Sequence, residues 1–314
     1  MAVNVGDIIN AAQYNGLQSR VATIMGTGSG TEGYGQTLTS SQVLATATVT
    51  AEQMDNLRTD LNKATNHQLG SNANISDIAV GEIIGADATG ASISTLTDTT
   101  GGFNDYDIAT GVIESNKFSI DAGNSSVEST GNSSTRTTSW NGQVTHVFTV
   151  TFASANDRRH FFNSGGEIRF SANLSGQSGA KSDDWATLLS NMGTIKFNYT
   201  QTTSTGTGTG TSIGNYDVTG SYQQIFQKTG SGNYAENDYN IQVKENSATV
   251  LEFLIEFRDD DTGDPPITPV PKGGIAGGVD EDVNGTLSSV IQQLRATGSN
   301  VSVPTPAYSN TSNL

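Results

Sequence analysis

The strongest constraint on the fold is a regular alternation of apolar and polar residues in several segments after residue 76. EIRFSANL (167–174) alternates throughout, and VLEFLIEF (250–257) has an apolar residue at every odd position. Successive side chains point to opposite faces of a strand, so these segments predict strands with one buried and one solvent-facing side. The expected inward residues are Ile168, Phe170, Ala172, Leu174, Leu251, Phe253, Ile255 and Phe257.

Short strands separated by polar turns dominate the rest of this region. Gly supplies 36 of the 314 residues, and turn-rich runs separate VTHVFTVTF (144–152), TIKFNYT (194–200) and DYNIQV (238–243). This organisation predicts a mainly β fold, an antiparallel β-sandwich or jelly-roll-like domain. One helix, SDDWATLLSNMG (182–193), is expected to interrupt the strands.

The predicted domain division follows from where these patterns begin and end. Residues 1–75 form a helical N-terminal module, and residues 76–305 form the β-sandwich domain. VSVPTP (301–306) is predicted as the last strand, and residues 306–314 as a polar C-terminal tail.

The first 75 residues have helical periodicity. Asn10 with Gln13, and Thr50 with Gln53, each form the capping-box pattern that begins a helix. The two patterns match closely enough to suggest a duplication, but shared helix-forming preferences alone explain the match, and we favour that explanation. Each helix has one narrow apolar stripe, which must bury against the other helix, the β region or another subunit. The stripe residues assigned to docking or assembly are Tyr14, Leu17, Val21, Ile24, Met54, Leu57 and Leu61.

Composition excludes several classes of function. The net charge of −16 and the isoelectric point near 4.3 argue against a phosphate-binding surface, so no nucleic-acid partner is predicted. Cys is absent, which excludes disulfides and thiolate metal sites. No apolar run approaches the ~20 residues that span a bilayer, and the N-terminus lacks a signal-peptide pattern. The sequence therefore predicts a soluble chain made in the cytoplasm, without membrane insertion.

The acidic segment RDDDTGD (258–264) is the one site-like feature. Asp259, Asp261 and Asp264 offer carboxylate oxygens at spacings that Ca²⁺ could use. The EF-hand pattern fails because its twelfth position is Val270 rather than Glu. The alternative, which we favour, is a turn that closes the preceding strand with its charges solvated on the surface. Ca²⁺ is thus a hypothesis, and no other cofactor is predicted.

No arrangement of residues predicts catalysis. His67 follows the second helix, where a positive charge is favourable; His146 faces inward on a strand; and His160 lies in a predicted strand-to-strand connection. None has the spacing of a metal motif. The acids Asp183 and Asp184 fit a helix N-terminus. Glu252 and Glu256 fit an outward strand face, so no catalytic residue is assigned and no enzyme is predicted.

Two glycine-rich runs are interpreted as loops. GTGSGTEGYG (26–35) lacks the GK[ST] ending of a phosphate-binding loop, and it follows a helix instead of opening one. TGTGTGT (205–211) fits a loop tip between strands.

Several phrases resemble virion structural proteins of T4-like and related tailed phages, particularly cyanophages. They cover residues from about 5 to 306. The phrases are GDIINAAQYNGLQSRVATIMGTGSGTEGYGQ, TAEQMDNLRTDLNKATNHQLG, SWNGQVTHVFTVTF, HFFNSGGEIRFSANLSG, EFRDDDTGD and LRATGSNVSVPTP.

The resemblance implies a virion component of the tail, baseplate, neck or fibre, assembled in the host cytoplasm. Its implied partners are further copies of itself, as a homo-oligomer, and other virion proteins. The alternative function is host-receptor or glycan binding through loops that carry Trp140, Tyr234 and TGTGTGT. Trp140 has a second interpretation as a core anchor, which we favour.

Overall fold

The computed structural model describes residues 9–82, 84–85, 102–262 and 280–314, which form two compact units. Unit 1 comprises Met1–Ser126, Ala155–Gly166 and Arg295–Thr305. Unit 2 comprises Val127–Ser154, Glu167–Leu294 and Pro306–Leu314. These bounds differ from the divisions at residues 75 and 305, because segments distant in sequence join each unit.

Unit 1 is built around helices, and both predicted capping boxes are confirmed. The Asn10 side chain accepts a hydrogen bond from the backbone N–H of Gln13, and Thr50 accepts one from Gln53. Each Gln side chain accepts the reciprocal bond from the cap backbone, which fixes where each helix begins. The helices are α1 (Ala11–Met25), α2 (Ala51–Leu69), α3 (Phe103–Ser115) and α4 (Ala155–Asn163).

Unit 2 contains most of two antiparallel sheets and helix α5 (Ala180–Met192). The strands are β1 (Ser125–Ser129), β2 (Ser134–Arg136), β3 (Gly142–Thr151), β4 (Glu167–Ser175), β5 (Ile195–Phe197), β6 (Thr202–Ser204), β7 (Thr209–Gly210), β8 (Gln223–Thr229), β9 (Asp238–Ser247), β10 (Val250–Asp259), β11 (Thr286–Ala296) and β12 (Ala307–Ser312). The first sheet has the order β1-β11-β4-β5-β6, with β2 also paired to β11; the second has the order β12-β3-β10-β9-β8-β7.

The mainly β, sandwich-type fold is confirmed. All eight residues predicted to face inward on β4 and β10 are buried. The Phe253 ring of the second sheet lies 5.1 Å from the rings of Phe170 and Phe197 in the first sheet, measured between centroids. Aromatic contacts of this kind contribute stability beyond the area they bury. The core of unit 2 therefore lies between the two sheets.

Four sequence predictions are corrected by the structure. Residues 103–115, in the region assigned period two, form α3, whose buried residues Phe103, Tyr106 and Ile113 repeat at helical spacing. The segment around His160 does connect two strands, β3 and β4, but it contains helix α4, so the prediction that a single helix interrupts the strands is wrong. The polar first turn of α4 hides its helical pattern. TIKFNYT shortens to the three residues of β5.

The C-terminal prediction is also wrong. VSVPTP contributes only an isolated bridge between Thr297 and Ser302, and the proline at 304 interrupts further pairing. The segment assigned to a polar tail instead contains β12, which pairs with β3. Its residues are mostly Ser, Thr and Asn, so backbone pairing rather than apolar alternation defines this strand.

Candidate functional site

The acidic segment after β10 surrounds a buried lysine. The ammonium Nζ of Lys181 lies 3.3 Å from Asp259 Oδ2, 3.2 Å from Asp261 Oδ2 and 2.7 Å from Asp280 Oδ1. Lys181 is 1% exposed, and Asp259 and Asp261 are also buried. We call Lys181, Asp259, Asp261 and Asp280 the lysine cluster.

The local fold explains why a lysine is buried here. Lys181 lies in the first turn of α5, one helical turn before Trp185, so both side chains project from the same helix face. The Trp185 ring is fully buried and packs edge-on against Trp140 at a centroid distance of 5.0 Å. The Lys181 stem thus extends this apolar face while its ammonium reaches the carboxylates.

The electrostatics of the cluster follow from burial and from the excess of acids. The carboxylates raise the pKa of Lys181 above its ordinary value, although burial alone would lower it. Burial raises the pKa of Asp259 to about 6, opposed by Lys181 and assisted by Asp280 and Asp261. A buried ammonium is therefore retained at neutral pH, and Asp259 takes up a proton at a higher pH than an ordinary aspartate does.

The lysine cluster changes the interpretation of the Ca²⁺ hypothesis. Asp259 and Asp261 direct oxygens at Lys181, while Asp264 lies outside the described residues. Among the residues that the structure describes, no group of three His or acidic side chains is arranged to hold a metal ion. The alternative interpretation, a turn with solvated charges, is wrong for Asp259 and Asp261, which are buried and paired with Lys181 because α5 brings that side chain to them. Ca²⁺ binding at this segment stays a hypothesis. The predicted helix began at residue 182, one residue too late to include Lys181.

The seven stripe residues assigned to assembly form the core of unit 1. Each is at most 1% exposed in the single chain, so a partner subunit could not reach them while the helices are folded. Tyr14 shows how α1 is fixed: its hydroxyl donates to the backbone oxygens of Ser41 and Gln53. Arg20 links α1 to α3 through Glu114 and Asp107. The stripes therefore bury against helices of the same unit, which was one of the three options left open.

Asp60 is a structural residue that the sequence analysis missed. It is 1% exposed and accepts hydrogen bonds from the backbone N–H groups of Thr39 and Ser40 and from the Ser40 hydroxyl. The ammonium Nζ of Lys63, on the same helix, lies 3.4 Å from Asp60 Oδ1. Asp60 lies on α2 and fixes the loop before it, a contact across about twenty residues that no local pattern shows.

The three histidines have structural partners within their own units. His67 Nε2 lies 3.0 Å from the Ser164 carbonyl oxygen, and His160 Nε2 lies 2.9 Å from the Thr27 carbonyl oxygen. His146, on β3, joins the two sheets through Ser289, with 2.9 Å between Nδ1 and Oγ. The Ser289 hydroxyl is buried, so this pair serves as an inter-sheet contact.

His67 is neutral, contrary to the cation expected at the end of α2. Burial lowers its pKa to about 4. Its Nδ1 has no hydrogen-bond partner among the described residues, so a second ring proton would be buried without an acceptor.

We predict that His67 makes stability fall on acidification. Its pKa is about 4 when folded and near 6.5 when unfolded, so between these values only the unfolded chain gains a proton. Lowering the pH from 7 to 5 should therefore cost about 2 kcal/mol through this residue. Thermal or urea unfolding of wild type and His67→Gln at pH 7 and pH 5 measures the loss of stability that is due to His67.

The raised pKa of Asp259 makes acidification stabilising through that residue, which opposes the effect of His67. Asp259 is present in both proteins, so its contribution cancels when their losses of stability are compared. The variant should lose less stability than wild type over this interval. Equal losses in the two proteins would mean that His67 is protonated in the folded state.

The first glycine-rich run packs its carbonyl groups against α4. Arg159 donates to the carbonyl oxygens of Thr27 and Gly28. Gly35 has a φ of +72°, and a Cβ there would lie 2.4 Å from the His160 ring. A loop that presents carbonyl oxygens to basic side chains differs from a phosphate loop, which presents N–H groups. Its interpretation as a loop is confirmed.

The outward face of the second sheet carries two carboxylates held by neighbouring strands. Glu256 accepts hydrogen bonds from the side-chain amides of Gln143, Asn240 and Gln242. Glu252 contacts Lys244 at 2.9 Å and accepts bonds from Tyr222 and Asn246, which together lower its pKa against the effect of burial. These cross-strand networks hold the polar face in one arrangement.

The aromatic residues considered for glycan binding are buried. Trp140 pairs with Val283 through a backbone bridge and packs on Trp185, so its interpretation as a core anchor is confirmed. Tyr234 is 8% exposed. The TGTGTGT segment lines an open cleft of about 430 Å³ whose walls are Thr, Ser, Gly and Gln. No wall residue of this cleft is aromatic, and stacking on a sugar ring would have to come from elsewhere.

Within the described residues, no helix combines the length and apolar character needed to cross a membrane. Comparison with family models, with curated proteins and with solved structures finds no match to this chain.

Proposed function

We propose that this protein is a structural component of a tailed-phage virion that acts through protein–protein contacts. The observation that carries this proposal is that the acidic residues and histidines considered as site residues contact partners within their own units. Asp259 and Asp261 contact Lys181, and the three histidines contact buried backbone or side-chain partners. Groups held in this way contribute to the stability of each unit.

Two further features support an assembly role. The sequence phrases that resemble tailed-phage virion proteins are distributed along the chain from about residue 5 to residue 306. The outward face of the second sheet is polar and cross-linked by hydrogen bonds around Glu252 and Glu256. A rigid polar face of this kind suits the repeated symmetric contacts of a particle.

Mass spectrometry of gradient-purified virions from the encoding phage tests the proposal. We expect the chain to copurify with the tail or neck proteins in a fixed ratio, while a replication protein of the same phage is depleted. Presence in the infected lysate but loss from purified particles would contradict the proposal. Hydrolysis of host envelope polysaccharide by the purified chain would replace it with an enzymatic function.

A further inference from the structure

Strand β12 forms one edge of the second sheet. It pairs with β3 in continuous antiparallel register, from Ala307 opposite Thr151 to Ser312 opposite His146. Four of its six side chains are exposed. An edge strand presents backbone donors and acceptors on the side away from its neighbour, which makes it a template for another strand.

The register shows which backbone groups point outward. The Asn313 N–H donates to the Thr145 carbonyl, so the odd-numbered residues of this segment bond to β3. Residues Asn310 and Ser312 therefore direct their N–H and C=O groups away from β3. No residue in the described parts of the chain bonds to these backbone groups. The outer side of β12 can accept another strand.

β12 lacks the features that normally protect a sheet edge. Its sequence, AYSNTS, contains no charged residue and no proline, and its pairing with β3 has no bulge. The strand at the opposite end of the same sheet, β7, has two residues, and the end strand β6 of the first sheet has three. The other end strand of the first sheet, β1, has five residues, so β12 with six is the longest of the four.

We infer that β12 pairs with β12 of a second copy of this chain. Antiparallel pairing of identical strands about a two-fold axis gives a closed, isologous interface. With the axis at Asn310, the outward groups of both copies meet, and Ser309 lies opposite the partner's Thr311. These hydroxyl side chains can donate and accept across the interface. β12 carries no charge within a chain of net charge −16, so two copies can approach there without opposing carboxylates.

This inference rests on the proposed assembly function, for which it names a contact surface. Pairing through β12 joins two copies of the second sheet into one continuous sheet. The polar faces around Glu252 and Glu256 then lie on the same side of the joined sheet. Self-association is measured on purified protein and the virion role on particles, so either can fail alone.

Analytical ultracentrifugation with a charged-edge variant tests the pairing. Wild type is expected to be dimeric. S309K/T311K should dissociate at least tenfold more readily, because each copy brings two positive charges that face the two positive charges of its partner. The matched control T149K/T151K adds the same charges on the same face of β3, whose edges are both paired. It should remain dimeric. A monomeric wild type, or equal weakening in both variants, would overturn the inference.

Disulfide trapping tests the register of the β12–β12 pairing. Circular dichroism of each Lys and Cys variant checks that it remains folded. The chain has no Cys, so every crosslink comes from an introduced residue. A mixture of S309C and T311C chains should form disulfide-linked heterodimers on mild oxidation, because the two positions face each other at a non-hydrogen-bonded pair. Neither variant alone should crosslink to the same extent. Absence of heterodimers from the mixture would contradict this pairing.

Discussion

Replacing Lys181 with Met is expected to lower the free energy of unfolding by about 3–5 kcal/mol. Lys181 is buried and lies within 3.3 Å of three carboxylates, two of which are also buried. Removing the ammonium leaves these carboxylates without a cation in a poorly solvated site. Urea or thermal unfolding of the variant measures the loss.

Lys196→Met is the matched control. Lys196 lies half-buried on β5 in the same unit and makes no ion pair within the described residues, so its replacement should change stability by less than about 0.5 kcal/mol. Adding Asp259→Asn to Lys181→Met should recover part of the loss, because one buried charge is removed. Equal effects of the two lysine substitutions would contradict the structural role of the cluster.

Melting temperatures measured with and without EDTA decide whether Lys181 or Ca²⁺ is the cation that balances the acidic segment. With Lys181 present, EDTA should leave the melting temperature of wild type unchanged. A large drop in melting temperature with EDTA, together with a mild effect of Lys181→Met, would restore the Ca²⁺ hypothesis for Asp259, Asp261 and Asp264.

Replacing Leu57 with Ala is expected to destabilise unit 1 by about 2–5 kcal/mol. Leu57 is fully buried on α2, in a core that includes residues of α1. The substitution removes apolar contacts and leaves a cavity, since neighbouring helices can close the space only partly. If the stripe were a docking surface instead, the variant would keep its stability and lose a partner.

Leu44→Ala provides the control for this change. It is the same substitution in the same unit, at a side chain that is 79% exposed, so the melting temperature should remain close to wild type. Calorimetry of both variants, with sedimentation to follow their oligomeric state, distinguishes the two roles. A stable Leu57→Ala protein that sediments as a smaller species would contradict the assignment of this residue to the core.

Local patterns predicted the features that depend on local interactions. The capping boxes at Asn10 and Thr50 require partners three residues away, and the buried faces of β4 and β10 follow from alternation along one strand. Both kinds of signal lie within one element. They are therefore readable from a single sequence.

The lysine cluster depends on contacts between distant segments, which is why the sequence did not reveal it. Lys181 and Asp259 are separated by 78 positions and meet only after α5 packs onto the sheets. An acidic run therefore suggested a metal ion when its counter-charge was elsewhere in the chain. Similarly, β12 has no apolar alternation, and its strand is defined by pairing with β3.

A cryo-EM map of the phage particle tests the central claim most directly. We predict density for the two-sheet fold at symmetry-related positions in the tail, neck, baseplate or fibre, with the chain contacting neighbouring subunits. A complete particle map with every density assigned to other proteins, and none matching this fold, would contradict the proposed structural role.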